Sequence, residues 1–337
     1  MSRALKLALP LALILVLVVA GVVAGCGSSS DETATSASPS ADTSQAYTIG
    51  ISQIVTHPAL DATVQGFQDA LEEAGYTNIT YDLQNAEGDM ATTAQIAQKF
   101  AGDNLDLVLG VATPTAQALV KQITDRPVLF TAVTDPVGAG LVVDPAAPSA
   151  NVTGVSDMQP VKPILELAKT FRPDATKVGM VYNAGESNSV FLVQQAEKDA
   201  ATMGLTIVKA PASTSAEVQA AAKSLIGRVD AIAVIGDNTA VSALESIIKV
   251  CEENKIPLVA GDPDSVKRGA VACYGFDYYD LGKQTGAMAA QILSGTPIAD
   301  IPVQFAKNLQ LSVNEKAAAA QGVTIPADLV SQAVNKY

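Results

Sequence analysis

From Tyr47 onward, short runs of Val, Ile, Leu and Ala alternate with amphipathic stretches. Residues 47–54 read as a buried strand, 58–74 carry apolar residues at helical spacing and stop at Gly75, and 79–83 read as a second strand. Residues 90–101 then predict a helix, and 105–110 a third strand. Such alternation predicts an α/β fold whose parallel sheets carry helices on both faces.

The pattern recurs at a displacement of roughly 125 residues, too long for a solenoid period and suited to a duplicated domain. Asp106-Leu107-Val108-Leu109-Gly110-Val111-Ala112-Thr113 matches Asp230-Ala231-Ile232-Ala233-Val234-Ile235-Gly236-Asp237, each a buried strand entering a polar turn. The following strands lead to Thr134-Asp135-Pro136 in one copy and Gly261-Asp262-Pro263 in the other. The openings align too, Ile49-Gly50-Ile51 against Val178-Gly179-Met180. Two Rossmann-like lobes are therefore expected, with their loops at the carboxyl ends of the strands, where open parallel sheets bind ligands. Residues 47–155 with 277–297 are assigned to the first lobe and 156–276 with 298–337 to the second. The hinge is then made of crossing strands near 154–157, 274–277 and 297–302.

Residues 7–23 form an apolar run behind Arg3 and Lys6, ending in Val23-Ala24-Gly25-Cys26. This resembles a bacterial lipobox, which implies a signal peptide over 1–25, cleavage before Cys26 and a diacylglycerol, with palmitate among its acyl groups, on that thiol. A spanning helix of ~20 residues is the bland alternative. It is disfavoured because residues 26–46 are dominated by Ser, Thr, Ala, Asp, Gly and Pro, a composition that stays a flexible tether. The expected location is the extracytoplasmic face of the cell membrane, lipid-anchored.

The formal charge of −13 becomes more negative once Arg3 and Lys6 leave with the leader. An acidic surface excludes nucleic acid as a natural partner, since phosphate binding depends on Lys and Arg. Beyond Cys26 only Cys251 and Cys273 remain, one in a helix-like and one in a strand-like stretch, and both are expected to be free and buried rather than bridged. His57 is the sole histidine, so no Cys/His metal spacing exists and no cofactor is expected. Neither a Gly-x-Ser-x-Gly elbow, a phosphate-cradling loop nor a His-Glu-x-x-His helix is present, so no enzyme activity is expected.

Several segments in order carry a family likeness: Thr56-His57-Pro58-Ala59-Leu60-Asp61, Thr113-Pro114-Thr115-Ala116, Thr134-Asp135-Pro136, Tyr182-Asn183, Glu186-Ser187-Asn188-Ser189, Gly236-Asp237-Asn238, Gly261-Asp262-Pro263 and Gly275-Phe276-Asp277-Tyr278-Tyr279. From Tyr47 to the C-terminus the chain resembles substrate-binding proteins of ABC importers, in the family of TrpX-like tryptophan and tyrosine binders. The resemblance implies the type I periplasmic-binding architecture, a monomer that closes about its hinge on a small solute, and permease subunits as partners. The implied solute is an aromatic or otherwise apolar amino acid. A sensory receptor on the same fold, or a receptor for a nucleoside or sugar, is the alternative.

For a zwitterion the cleft needs two kinds of group. Thr113-Pro114-Thr115 opens a helix whose free N–H groups and dipole suit a carboxylate, or merely cap it. Asn183, Ser187 and Asn188 offer a comparable start in the second lobe. An ammonium requires a buried anion, for which Asp157, Asp237 and Asp262 are candidates, each with a capping role as the bland reading. No more than two of the three are expected to touch a ligand. Ser52 and Gln53, ending the first strand, and Thr134, Asp135 and Asp277 at strand ends complete the expected lining. His57 is read as a cap or rim residue, and Tyr278 or Tyr279 as a stacking surface for an aromatic ligand.

Overall fold

Runs of Val, Ile and Leu become the strands of two separate sheets in the computed structural model, which describes residues 43–148 and 151–337. The leader, Cys26 and most of the tether lie outside the described residues. The chain begins with β1 (Tyr47–Gln53), α1 (Pro58–Glu73), β2 (Ile79–Asn85), α2 (Met90–Gly102), β3 (Leu107–Val111), α3 (Thr113–Gln122), β4 (Val128–Val133) and β5 (Val152–Ser156). It continues through α4 (Lys162–Phe171), β6 (Lys177–Tyr182), α5 (Ser187–Thr202), β7 (Thr206–Pro211), α6 (Val218–Ser224) and β8 (Ala231–Val234). Then come α7 (Asn238–Ser242), α8 (Leu244–Asn254), β9 (Leu258–Ala260), α9 (Pro263–Arg268) and β10 (Ala272–Gly275). Last are α10 (Tyr278–Leu293), β11 (Gln304–Phe305), β12 (Gln310–Val313), α11 (Glu315–Ala320), α12 (Ala327–Gln332) and β13 (Asn335–Lys336).

The first sheet has the order β11-β5-β4-β3-β1-β2 and is parallel throughout. The second, β13-β12-β10-β9-β8-β6-β7, is parallel except where β12 runs against β10. β3, β4, β5, β8 and β9 are buried along their whole length, as strands covered by helices on both faces must be. Cys251 and Cys273 are both free and buried, and burial pushes the Cys251 thiol up to about 12.

The duplication extends to details that sequence similarity alone does not specify. Asp106 accepts a hydrogen bond from the Thr48 N–H at the foot of β1, and Asp230 accepts from Thr176 and Lys177 at the foot of β6. Ala112 and Gly236, at matching positions after β3 and β8, both have positive φ, 80° and 56°. Asp135 and Asp262, each followed by Pro, both accept from the N–H three residues on. A common backbone plan, not only a common order of elements, underlies the two sheets.

Chain crossings follow β5, at Asp157, and β10, before α10. The expected third crossing near 297–302 occurs later. Ile298, Ile301 and Val303 pack into the first core, and β11 pairs with β5, so the chain leaves the first sheet only after Phe305. The reason is apolar spacing too short to register as a strand. α10 covers the first sheet and lies against α1 with almost no side chain between them: a Cβ on Gly66 would collide with Tyr279 O, one on Gly282 with Thr63 O, and one on Gly286 with Phe67 O. Thr285 Oγ1 donates to Thr131 Oγ1 in β4, 2.9 Å away, and fixes the helix's rotation. The ion pairs among the described residues each stay within one half, Lys99 with Asp82 and Asp103 in the first, for example, and Lys209 with Glu197 in the second.

The glycine seam makes a paired prediction. Gly282→Ala forces α1 and α10 apart and should lower the unfolding free energy by about 1–3 kcal/mol. Gly102→Ala, where an added Cβ meets nothing, should be neutral or stabilising by up to ~1 kcal/mol. Urea unfolding followed by circular dichroism measures both.

Candidate functional site

The carboxyl ends of the two sets of strands converge on one cavity between them. The first half contributes His57 and Leu60 at the start of α1, and Ala132 and Thr134 at the end of β4. A bulge between Phe130 and Val133, with Ala132 at φ 52°, turns the Ala132 side chain toward the space. The other half contributes Asn188, Gly236, Asp237, Asn238, Val241, Gly261 and Asp262, and the crossings supply Asp157 and Tyr278.

Of the expected ligand residues, the structure brings Thr134, Asp157, Asn188, Asp237 and Asp262 together here. Thr113, Asp135 and Ser187 line a flanking cavity that shares Asn188 with the central one. There the starts of α3 and α5, neither with a side-chain cap, face each other, and the Ser187 hydroxyl donates to Gln117 Oε1 across the gap at 3.4 Å. Their free N–H groups make this flank suited to an anion. The remaining candidates lie elsewhere. Gln53 turns inward, its Nε2 donating to Asp61 Oδ1 and Val55 O, and Ser52 is fully buried beside it in β1. Thr115 spends its hydroxyl on the carbonyls of Val111 and Ala112, while Pro114 is buried against its own half. Asn183 donates to Thr239 Oγ1 and accepts from Gly185 N–H, organising the second half from within. Asp277 is exposed and caps α10.

The three candidate anions differ sharply in what occupies them. Asp237, 2% exposed, caps α7 through Oδ1 on Ala240 N–H and accepts from Asn183 N–H on Oδ2. Asp262 caps α9, one oxygen on Ser265 N–H and the other on the Ser265 hydroxyl. Asp157, 7% exposed, receives the Tyr278 hydroxyl on Oδ2 at 2.8 Å, and its buried Oδ1 has no partner. Burial raises all three carboxyls above the usual range, and Glu186 adds to the effect on Asp237. No Lys or Arg lines the cavity.

Glu186 is buried and accepts from Thr239 Oγ1 and Asn238 Nδ2, holding Asn238 toward the space. His57, read as a cap or rim residue, is both a cap and part of the lining. Its Nδ1 accepts from Leu60 N–H, its Nε2 is buried without a partner, and Asn238 of the other half adjoins it. Desolvation, with a smaller contribution from Arg268, lowers its pKa to about 4. Leu60 and Asn238 lie within segments that carry the family likeness but were not expected in the lining, and Val241 lies outside all of those segments. Among the described residues no cluster of His, Cys, Asp and Glu is placed to hold a metal.

His57 makes stability pH-dependent with a definite sign. Its folded pKa lies below the unfolded value of 6.5, so the unfolded chain takes up the proton first. That contribution is intact above pH 6.5 and is lost as pH falls toward 4, by an order of about 3 kcal/mol. His57→Asn, which keeps a cap on α1, should lose that much less stability than the wild type over the same interval. Urea midpoints measured across the range test this; equal losses would rule it out.

The profile of the ABC transporter substrate binding protein family matches residues 48–336. A tyrosine-binding protein of Clostridioides difficile is 42% identical over 285 residues, covering 84% of this chain and 83% of the relative. A solved Streptococcus pneumonia ABC domain in complex with L-Trp is 35% identical, with TM-score 0.83 over 87% of this chain and 100% of that one. A ligand-free, open substrate-binding protein with adhesive properties from Clostridium difficile is 41% identical, covering 86% and 99% of the two chains, yet superposes at only 0.64. With its two parallel-dominated sheets shared by distant solute-binding proteins of type I architecture, the chain belongs to the ABC transporter substrate-binding protein family.

Proposed function

We propose that the protein is a lipid-anchored receptor on the extracytoplasmic face of the membrane, held there through Cys26. It closes as a monomer on an aromatic amino acid and delivers it to the permease of an ABC importer. It performs no covalent chemistry. The observation that carries this reading is the free, buried Oδ1 of Asp157 in a cavity lined by three carboxyls and no cation. A buried carboxylate in such surroundings is strongly disfavoured until a cation joins it. An α-ammonium group supplies that charge, with the Asn188 Oδ1, also buried and unpartnered, as a second acceptor.

The α-carboxylate then reaches the uncapped helix starts at Thr113 and Ser187, beside Asn188. The side chain occupies the part of the cavity walled by Leu60, Ala132 and Val241. Closure is hinge motion about the crossing segments, driven by contacts that the ligand makes with both halves only when they meet. The tyrosine-binding and L-Trp-bound relatives support an aromatic side chain.

Thermal unfolding against a panel of amino acids, sugars and nucleosides tests this. Saturating ligand stabilises by ~2.7 kcal/mol at a hundredfold excess over its dissociation constant. Tyrosine, tryptophan or phenylalanine should raise the midpoint, and a shift with sugars or nucleosides alone would overturn the amino-acid reading. Asp157→Asn should weaken binding by about 3 kcal/mol or more, because it leaves the ammonium buried without its counter-charge. Asp262→Asn should change affinity far less, since both Asp262 oxygens already serve Ser265.

A further inference from the structure

His57 presents a polar atom to the cavity that the amino-acid head does not use. Its ring is 6% exposed, and its Nδ1 accepts the Leu60 N–H, so in the neutral imidazole the proton sits on Nε2. Burial keeps the ring neutral well below pH 6.5. The Nε2–H is thus a donor only, it is buried, and it completes no hydrogen bond although the Asn238 side chain lies beside it. A buried donor of this kind calls for an acceptor.

The cleft's layout says which part of the ligand meets it. Asn188 joins the central cavity to the flank where the starts of α3 and α5 face each other. Asn238 joins the central cavity to a second flank, lined by Ile54 and Val55 together with Glu87, Asp89 and Glu186. His57 adjoins Asn238 and stands next to Leu60 and Val241. A ligand with its head at Asp157 and Asn188 shares the cavity with His57, Leu60 and Val241, which are left to meet its side chain.

We propose that His57 is the specificity-determining residue of this site, its Nε2–H donating to an acceptor at the far end of the ligand's side chain and thereby selecting tyrosine. A phenol oxygen accepts such a bond, a phenyl ring has nothing to offer, and an indole N–H is itself only a donor. Phenylalanine leaves the donor unpaired and tryptophan sets donor against donor, and sites built to bond a hydroxyl discriminate against analogues that lack it. This inference rests on the aromatic amino-acid reading above and goes beyond it in naming the selected side chain and the group that selects it.

The test is calorimetric titration of the purified full-length chain with tyrosine, phenylalanine and tryptophan, beside His57→Asn. Asparagine is among the best N-caps, so α1 keeps its start while the donor is withdrawn from the cavity. An unchanged thermal midpoint of the ligand-free variant at neutral pH confirms that the fold is intact. The wild type is expected to bind tyrosine about tenfold or more tighter than phenylalanine, and His57→Asn to remove that margin while leaving phenylalanine and tryptophan within about twofold. His57→Gln, with an amide donor of greater reach, should restore part of the margin. Equal weakening of all three ligands by His57→Asn would assign the donor to the amino-acid head and overturn the inference alone. So would equal affinities of the wild type for tyrosine and phenylalanine. Failure of the wild type to bind any of the three would overturn the aromatic reading and this inference with it.

Discussion

Burying a carboxylate costs several kcal/mol unless donors or a cation surround it, and this cleft brings Asp157, Asp237 and Asp262 into one space. Two of them are answered from within the second half, by backbone N–H groups at the starts of α7 and α9 and by the Ser265 hydroxyl. Asp157 is answered on one oxygen only, by Tyr278. The pair Asp157–Tyr278 joins the two places where the chain passes between halves. The unmet oxygen thus sits where the chain passes between the halves. A cation in the cavity would offset the cost of burying it there.

Duplication followed by divergence explains how the two halves come to present different chemistry at equivalent positions. Thr113 and Asp237 hold equivalent positions, each after a residue with positive φ at the end of an equivalent strand. In the second half the position is an acid that caps its own helix. In the first it is a threonine, and α3 begins with no side-chain cap. The same backbone therefore ends in an occupied helix start on one side and an open one on the other. Ala112 keeps the positive φ without glycine's freedom, a local strain that persists because strand and helix on either side determine it.

Much of this was legible in the amino-acid order, because alternation of apolar runs with helical spacing, repeated once, leaves few arrangements open. The loops after β3, β4, β8 and β9 were identified for the same reason, as strand ends in a parallel sheet. What could not be read was which Asp remains unanswered: Asp237, Asp262 and Asp157 all follow strands, and only the bonds made by Ala240, Asn183 and Ser265 separate them. Gln53 and Asn183 read as lining but turn toward partners in their own half, since a strand end gives the position and not the direction of the side chain. His57 was legible as a cap, yet capping uses only one ring nitrogen. The late third crossing was hidden because β11 is two residues long, too short for any periodicity.

The confinement of ion pairs to one half or the other has a consequence for the medium in which the protein works. Among the described residues no ion pair joins the halves. Surface charge pairs weaken as salt shortens the Debye length, from ~10 Å at 0.1 M to ~3 Å at 1 M, whereas buried charges are screened far less. A movement of one half against the other therefore has no exposed ionic clasp of this structure to break. Any such movement should be nearly indifferent to ionic swings in the surrounding water.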